Sequence, residues 1–135
     1  MVKLKNIFTL FLLIITINYA YSMPNVSRAL SEVEFITENS ENTKLDMYKG
    51  KIILLFFGYT NCPDICPTTL LDISRSLNEL GSDSEKVQAV FISVDPDRDT
   101  PSHLNNYVQY FDDRIIGLSS DKDNIDKLHR FFKTK

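Results

Sequence analysis

Both cysteines of the chain lie in one short stretch, GYTNCPDICPTT, at residues 58–69. Cys62 and Cys66 stand four positions apart, and a proline follows each of them. One turn of helix, or a wound loop, brings side chains at this spacing to the same side. The start of a helix lowers the pKa of a thiol and favours the thiolate, although Asp64 between the two cysteines acts against this. Two converging thiolates form either a soft-metal site or a reversible disulfide.

Copper is the metal that best fits so small a set of ligands. Soft thiolates select Cu(I), zinc or iron–sulfur clusters, but zinc prefers four N or S ligands. The chain offers two cysteines and two histidines in total, and two cysteines suffice for Cu(I). His103 falls in the first turn of a predicted helix, where a solvated surface position is expected. His129 falls in the last predicted helix and is the alternative candidate for a third copper ligand, besides the two cysteines.

A disulfide between Cys62 and Cys66 is the second interpretation, and an exported protein permits it. A purely structural disulfide over so few residues would contribute little, because the stabilisation grows with the length of the closed loop. Metal binding and reversible thiol chemistry therefore remain as the two functional interpretations of the pair.

Residues 1–22, MVKLKNIFTLFLLIITINYAYS, are predicted to be a signal peptide or a signal anchor. Lys3 and Lys5 precede an apolar run, and Ala20-Tyr21-Ser22 has the form of a cleavage site. Residues 23–32 are interpreted as a linker and residues 33–135 as one domain. Without the two lysines of this segment, 13 basic and 18 acidic side chains remain, a net charge near −5. This charge argues against a nucleic-acid partner.

The exported part alternates strand and helix. A small hairpin is predicted from VEFIT and TKLDMYKGK, and KIILLFFGY, VQAVFISV and RIIGLS are predicted strands. Helices are predicted after Cys66, with Pro67 as the first helical residue, after the cap Thr100 and after Asp121. This order predicts an α/β fold with a parallel sheet, in which functional loops lie at the carboxyl ends of the strands. The cysteine loop and the loop DPDRDTP should therefore be neighbours.

Three aspartates alternate in the second loop, at positions 95, 97 and 99. The spacing is that of the start of an EF-hand, but the sixth and twelfth positions hold threonine and asparagine instead of glycine and glutamate. The acids are therefore interpreted as loop and cap residues, with Arg98 available to pair with one of them. The sequence also lacks the glycine patterns of nucleotide-binding loops.

The stretch GKIILLFFGYTNCPDICPTTL, followed by VFISVDPDRDTP, resembles the Sco/SenC family of copper chaperones. The family patterns G-[FY]-T-x-C-P-D-x-C-P and S-V-D-P-x-R-D-T stand here at residues 58–67 and 93–100. The resemblance implies a thioredoxin-like fold held at a membrane by one N-terminal segment. It implies Cys62 and Cys66 as copper ligands, or as the catalytic pair if they are redox-active, with Asp95 near the site. The implied partner is the Cu(A) subunit of cytochrome c oxidase, which receives copper or is prepared by thiol reduction.

The chain departs from the family at its end. The third copper ligand of the family is a histidine beyond the third helix, and this chain stops at Lys135 before such a segment. The expected fold is thus thioredoxin-like with the C-terminal hairpin and helix missing, which leaves an unpaired edge on the KIILLFF strand. Three functions remain open: a copper chaperone, a thiol–disulfide oxidoreductase using Cys62 and Cys66, and an inactive truncated remnant.

The expected location is the periplasmic side of a bacterial inner membrane, or the equivalent intermembrane space. The N-terminal segment is expected to direct the domain behind it out of the cytoplasm. If this segment is not cleaved, it also holds the domain at the membrane.

Overall fold

A three-stranded parallel sheet forms the centre of the fold in the computed structural model, which describes residues 26–133. The strands are β3 (Ile52–Gly58), β4 (Val87–Ser93) and β5 (Ile115–Leu118), with β4 in the middle. Gly58 lies opposite Ser93, so β3 and β4 end side by side. The predicted α/β alternation is confirmed. The predicted N-terminal signal segment lies outside the described residues, and within those residues no helix is both long and apolar enough to cross a membrane.

In the described part of the chain, four α-helices pack around this sheet: α1 (Val26–Ser31), α2 (Ile65–Glu79), α3 (Pro101–Gln109) and α4 (Lys122–Phe132). The Thr100 side chain caps α3 by accepting a hydrogen bond from the His103 N–H, as the Thr-Pro pair predicts. Asp121 caps α4 in the same way. Helix α2 is followed by Gly81 at a φ of +54°, a left-handed conformation that glycine adopts at little cost.

The sheet separates two apolar cores, because successive side chains of β4 point to opposite faces. Ala89 and Phe91 belong to the core that contains both cysteines and the buried residues of α2 and α3. Val90 and Ile92 belong to the core formed with α1, α4 and the small hairpin. The cysteines and the final helix therefore lie on opposite faces of the sheet.

The predicted hairpin exists but is shorter than expected. Strands β1 (Phe35–Ile36) and β2 (Asn42–Thr43) have two residues each, and Ile36 is joined to Ser119 beyond β5 by two backbone hydrogen bonds of 2.8 and 3.2 Å. The predicted strand over residues 43–51 is wrong beyond Thr43, because Leu45–Tyr48 form a 3-10 helix. Leu45 and Tyr48, three residues apart, both pack against the core that contains α4. A 3-10 turn places them on one side, whereas a strand would separate them.

Two further features bear on the sequence-based expectations. Helix α1 lies inside the range interpreted as a linker, and the division of the chain at residues 22 and 32 stays a prediction. Within residues 26–133, β3 has no neighbouring strand on its outer side. Ile52 is 69% exposed and Leu54 is 40% exposed, so this edge strand is only partly covered.

Asp112 and Arg114 connect the end of α2 to the start of β5. The Arg114 guanidinium donates to the Asp112 carboxylate at 2.8 and 2.6 Å and to the Leu77 carbonyl at 3.2 Å. Ser74 donates to the same carboxylate at 2.9 Å. The Arg114 hydrogen bond is the main reason that the pKa of Asp112 lies at about 2, below its ordinary value of 3.8.

The ion pair predicts a loss of stability in acid. Because the folded pKa of Asp112 is the lower one, its ionised form stabilises the fold fully above about pH 4, and this contribution is lost as the pH falls through 2. Asp112→Asn should remove about 1–2 kcal/mol from the free energy of unfolding at pH 7 and clearly less at pH 2, where about half of the folded molecules carry a protonated Asp112. Urea denaturation across this pH range measures the difference, with the exposed neighbour variant Asp113→Asn as control. An equal cost for Asp112→Asn at both pH values would contradict the assignment.

Candidate dithiol site

The cysteines occupy the junction between β3 and α2. Both are thiols rather than a disulfide, with Cys62 9% and Cys66 3% exposed. Gly58, the last residue of β3, lies against Cys66: a Cβ at this position would be 2.8 Å from the Cys66 Sγ and from the Phe91 ring. Glycine is therefore required here, because any side chain would displace the sulfur or the ring.

Helix α2 begins earlier than the sequence suggests. It starts at Ile65, with Asp64 as the residue before it, so Pro67 is the third helical residue rather than the first. Proline is tolerated there because the first four N–H groups of a helix have no partner within the helix. Cys66 thus lies inside the first turn of α2. Cys62 lies in the loop in front of the helix, where its sulfur can accept hydrogen bonds from the unpaired N–H groups.

Each cysteine affects the ionisation of the other, and the effect is asymmetric. A hydrogen bond from the Cys66 thiol is the main cause that lowers the pKa of Cys62, and the backbone N–H groups of Cys66, Asp64 and Ile65 act in the same direction. Burial raises the pKa of Cys66 to about 11, and the interaction with Cys62 adds to this shift. Cys62 is therefore the thiol that ionises first as the pH rises, and Cys66 is the one that ionises last.

Asp99 joins the cysteine loop to the second loop. Its side chain is fully buried and accepts hydrogen bonds from the Thr60 N–H at 3.0 Å, the Thr60 hydroxyl at 2.6 Å and the Ser93 hydroxyl at 2.6 Å. A buried carboxylate is tolerated when such donors satisfy it. The predicted proximity of the two loops is thus observed. The residue that joins the two loops is Asp99. The sequence did not single it out, because nothing in the pattern of three alternating aspartates distinguishes one from the others.

The Asp95 carboxylate makes different contacts from that of Asp99. It forms an ion pair with Arg98 at 2.5 Å within its own loop, which confirms the expectation that Arg98 pairs with one of the acids. Its N–H donates to the Ser93 hydroxyl at 3.1 Å. Asp95 therefore supports the loop, and its carboxylate neutralises a surface arginine.

The structure separates both histidines from the cysteine pair. The His103 side chain is exposed at the start of α3. His129 belongs to α4, on the other face of the sheet, and lines a polar pocket of about 130 Å³ with Asp95, Asp97 and Asp126. Among residues 26–133, no group of three or more Cys, His, Asp or Glu side chains is arranged to hold a metal ion. Within this range, the candidate site therefore consists of two sulfurs.

A parallel α/β sheet with a dithiol at a strand-to-helix junction defines a thioredoxin-like protein, and known proteins specify the family. The SCO1/SenC family model matches residues 23–135. An SCO2-like protein of Rickettsia conorii is 37% identical over 76% of this chain and 50% of its own length. The chain belongs to the SCO1/SenC family.

Two solved structures show the same fold. ScoI of Bradyrhizobium japonicum, solved with copper bound, is 44% identical with a TM-score of 0.69, over 75% of this chain and 64% of that one. BsSco, described as a cytochrome c oxidase assembly protein with a disulfide switch, is 26% identical with a TM-score of 0.60, over 75% and 62%. The chain spans about half the length of its bacterial relatives.

The buried carboxylate should be needed for the site. Asp99→Ala leaves two donors of the half-buried Thr60 and one of the buried Ser93 without their acceptor, and should lower the free energy of unfolding by about 3 kcal/mol. Asp97→Ala is the matched control, because Asp97 is exposed two residues away and surface substitutions usually change stability by less than about 0.5 kcal/mol. Urea denaturation measures both variants. Equal stability of the two would show that the Asp99 hydrogen bonds do not hold the loops together.

The asymmetry of the sulfurs should appear in their reaction with iodoacetamide, since the thiolate is the reactive form. Cys62 should be alkylated first, with a midpoint below pH 9, and Cys66 only toward pH 11. Cys66→Ala removes the hydrogen-bond donor and should move the Cys62 midpoint to higher pH. Cys66→Ser keeps a donor and should move it less. Peptide mapping by mass spectrometry gives both rates; faster reaction of Cys66 at neutral pH would contradict the assignment.

Proposed function

We propose that this domain binds one Cu(I) ion through Cys62 and Cys66 and delivers it to the Cu(A) site during assembly of cytochrome c oxidase. The place of both cysteines in one core at the junction of β3 and α2 carries the proposal. Sulfurs that lie together at such a junction can hold one soft monovalent ion between them once both protons have left for solvent. Copper is the cargo here, and the protein supplies two thiolates and their hydrogen-bond donors.

The similar proteins support the choice of ion and of recipient. ScoI of B. japonicum was solved with copper bound, and BsSco is described as an assembly protein of cytochrome c oxidase. The residues of this chain that match the family patterns include both cysteines. We therefore infer the same ion and the same class of recipient for this domain.

Two-sulfur coordination suits delivery better than storage. With two ligands from residues 26–133, the ion keeps an open side at which a recipient can add its own ligands. Cys62 has the lower pKa and the greater exposure of the two cysteines. Exchange of copper ligands with the recipient should therefore begin at Cys62. Ligand exchange can then proceed without the ion passing through water.

We also propose that the domain acts outside the cytoplasm, on the periplasmic side of an inner membrane or in the equivalent intermembrane space. The predicted signal segment at residues 1–22 supports this location. If it is not cleaved, this segment anchors the domain near a membrane-bound oxidase.

Thiol–disulfide exchange is the second candidate function, and the asymmetry of the pair favours it. The Cys62 thiolate would attack a substrate disulfide, expel one thiolate and form a mixed disulfide. The Cys66 thiolate would then attack the Cys62 sulfur and release the second substrate thiol, which oxidises the pair and reduces the substrate. The disulfide switch described for BsSco supports this chemistry in a relative.

Titration of the reduced protein with Cu(I), against a chromophoric Cu(I) chelator, distinguishes the candidates. We expect one ion per chain, and at least about 100-fold weaker binding for Cys62→Ser or Cys66→Ser because one of two soft ligands is lost. His103→Ala and His129→Ala are the matched controls and should bind within about two-fold of the parent protein, since a two-fold change is well under 1 kcal/mol.

The remaining outcomes separate the alternatives. A folded protein that binds no Cu(I) but exchanges disulfides rapidly would support the oxidoreductase. Equal loss of affinity in His129→Ala and the cysteine variants would show that the site has a third ligand. A chain that is unfolded when purified would support the inactive remnant.

A further inference from the structure

Strand β3 is an open edge of the sheet in the part of the chain that the structure describes. It pairs residue by residue with β4 on one side and has no strand on its other side within residues 26–133. Every side chain from Ile52 to Phe57 is at least partly exposed, whereas residues 89–93 of β4 are buried. An edge of this kind leaves backbone groups and apolar side chains available for pairing with another strand.

Three residues of β3 turn their backbone N–H and C=O groups to this open side. The Gly58 carbonyl accepts a hydrogen bond from the Val94 N–H at 2.8 Å, so the backbone groups of Gly58 face β4. Because successive residues of a strand direct these groups to alternate sides, the residues that face outward are Ile53, Leu55 and Phe57. No backbone hydrogen bond within residues 26–133 uses these outward groups. The edge therefore presents a row of donors and acceptors.

Strand β3 lacks the features that usually keep an edge strand from pairing with another chain. Such strands commonly carry a lysine, a proline or a bulge. Ile52–Gly58 contains neither a charged residue nor a proline, and its unbroken register with β4 leaves no bulge. The stretch without charged residues continues to Pro63, although the chain as a whole has a formal net charge of −3. Two copies of this acidic chain can therefore approach each other at β3 without local charge repulsion.

We propose that two copies of this chain associate through their β3 edges, as antiparallel strands related by a two-fold axis at Leu55. The outward-facing residues are symmetric about Leu55, so in this register Leu55 pairs with its own copy and Ile53 pairs with Phe57 of the copy. All the outward N–H and C=O groups then have partners. On the face of the sheet that carries the cysteines, Leu54 lies opposite Phe56 of the copy, and apolar pairs of this kind stabilise antiparallel strands.

The proposed interface is small, so the dimer should be weak. Seven residues of strand are about 23 Å long, and one strand edge covers well below the about 800 Å² per partner of a standard interface. We therefore expect a dissociation constant on the order of 100 µM. Because the two-fold pairing occupies both β3 edges, association should stop at two chains.

Sedimentation equilibrium of the full chain, between about 10 µM and about 1 mM, should show a change from one chain per particle to two. Leu54→Lys places like charges about 7–8 Å apart across the pair and should weaken the dimer at least about ten-fold. Leu71→Lys is the matched control, because Leu71 lies on α2 and is 46% exposed, against 40% for Leu54. It adds the same charge and should dimerise like the parent. A parent that stays monomeric, growth beyond two chains, or equal dissociation constants of the two variants would overturn the proposal.

Amide hydrogen exchange of the parent, followed residue by residue, covers the case in which Leu54→Lys does not fold. With the expected dissociation constant, about one-fifth of the chains are single at about 1 mM, against most of them at about 10 µM. The N–H groups of Ile53, Leu55 and Phe57 should therefore exchange about four-fold more slowly at the higher concentration. Those of Leu54 and Phe56, which face β4, should exchange equally at both concentrations.

Two results of the exchange measurement would contradict the proposal. Fast exchange of the outward N–H groups in a dimeric parent would show that the copies meet at another surface. Protection of these groups in a particle of one chain, at every concentration, would show that another segment of the same chain covers the β3 edge.

Discussion

The position of the Cys66 sulfur beside Cys62 depends on how closely the backbone of β3 approaches α2. At Gly58 a single added carbon would lie 2.8 Å from the Cys66 sulfur, so glycine leaves just enough space for it. With Cys66 held in the first turn of α2, the N–H groups of that turn point toward Cys62. The strand end, the helix start and the two thiols are thus one unit, and a change in any of them alters the ionisation of the pair.

Asp99 adds a second constraint, because its buried carboxylate affects both the geometry and the electrostatics of the pair. Through Thr60 and Ser93 it joins the loops that follow β3 and β4. Its negative charge also helps to keep the pKa of Cys66 high. Cys62 therefore loses its proton before Cys66, and ionisation of Cys66 becomes favourable when a cation compensates the second charge. This property suits either a soft metal ion or stepwise disulfide chemistry.

The two faces of the sheet carry different kinds of residues. The face with α2 and α3 carries the sulfurs, with Asp99 at its edge and the partly buried Tyr107 side chain packed against the same core. The face with α1, α4 and the hairpin buries apolar side chains and holds His129 away from the sulfurs. The membership in the SCO1/SenC family rests on the match over residues 23–135, and the geometry of the dithiol is consistent with a site that exchanges its ligand.

The order of elements, the parallel sheet, the cap Thr100 and the two meeting loops followed from the sequence, because apolar periodicity and capping are local properties. The 3-10 helix at Leu45–Tyr48 and the start of α2 at Ile65 did not, since packing outweighed local preference there. The spacing of four residues between Cys62 and Cys66 was enough to predict that they act as a pair. The difference between their pKa values, the burial of Asp99 and the place of Tyr107 depend on contacts between residues far apart in the chain, which only the tertiary structure decides.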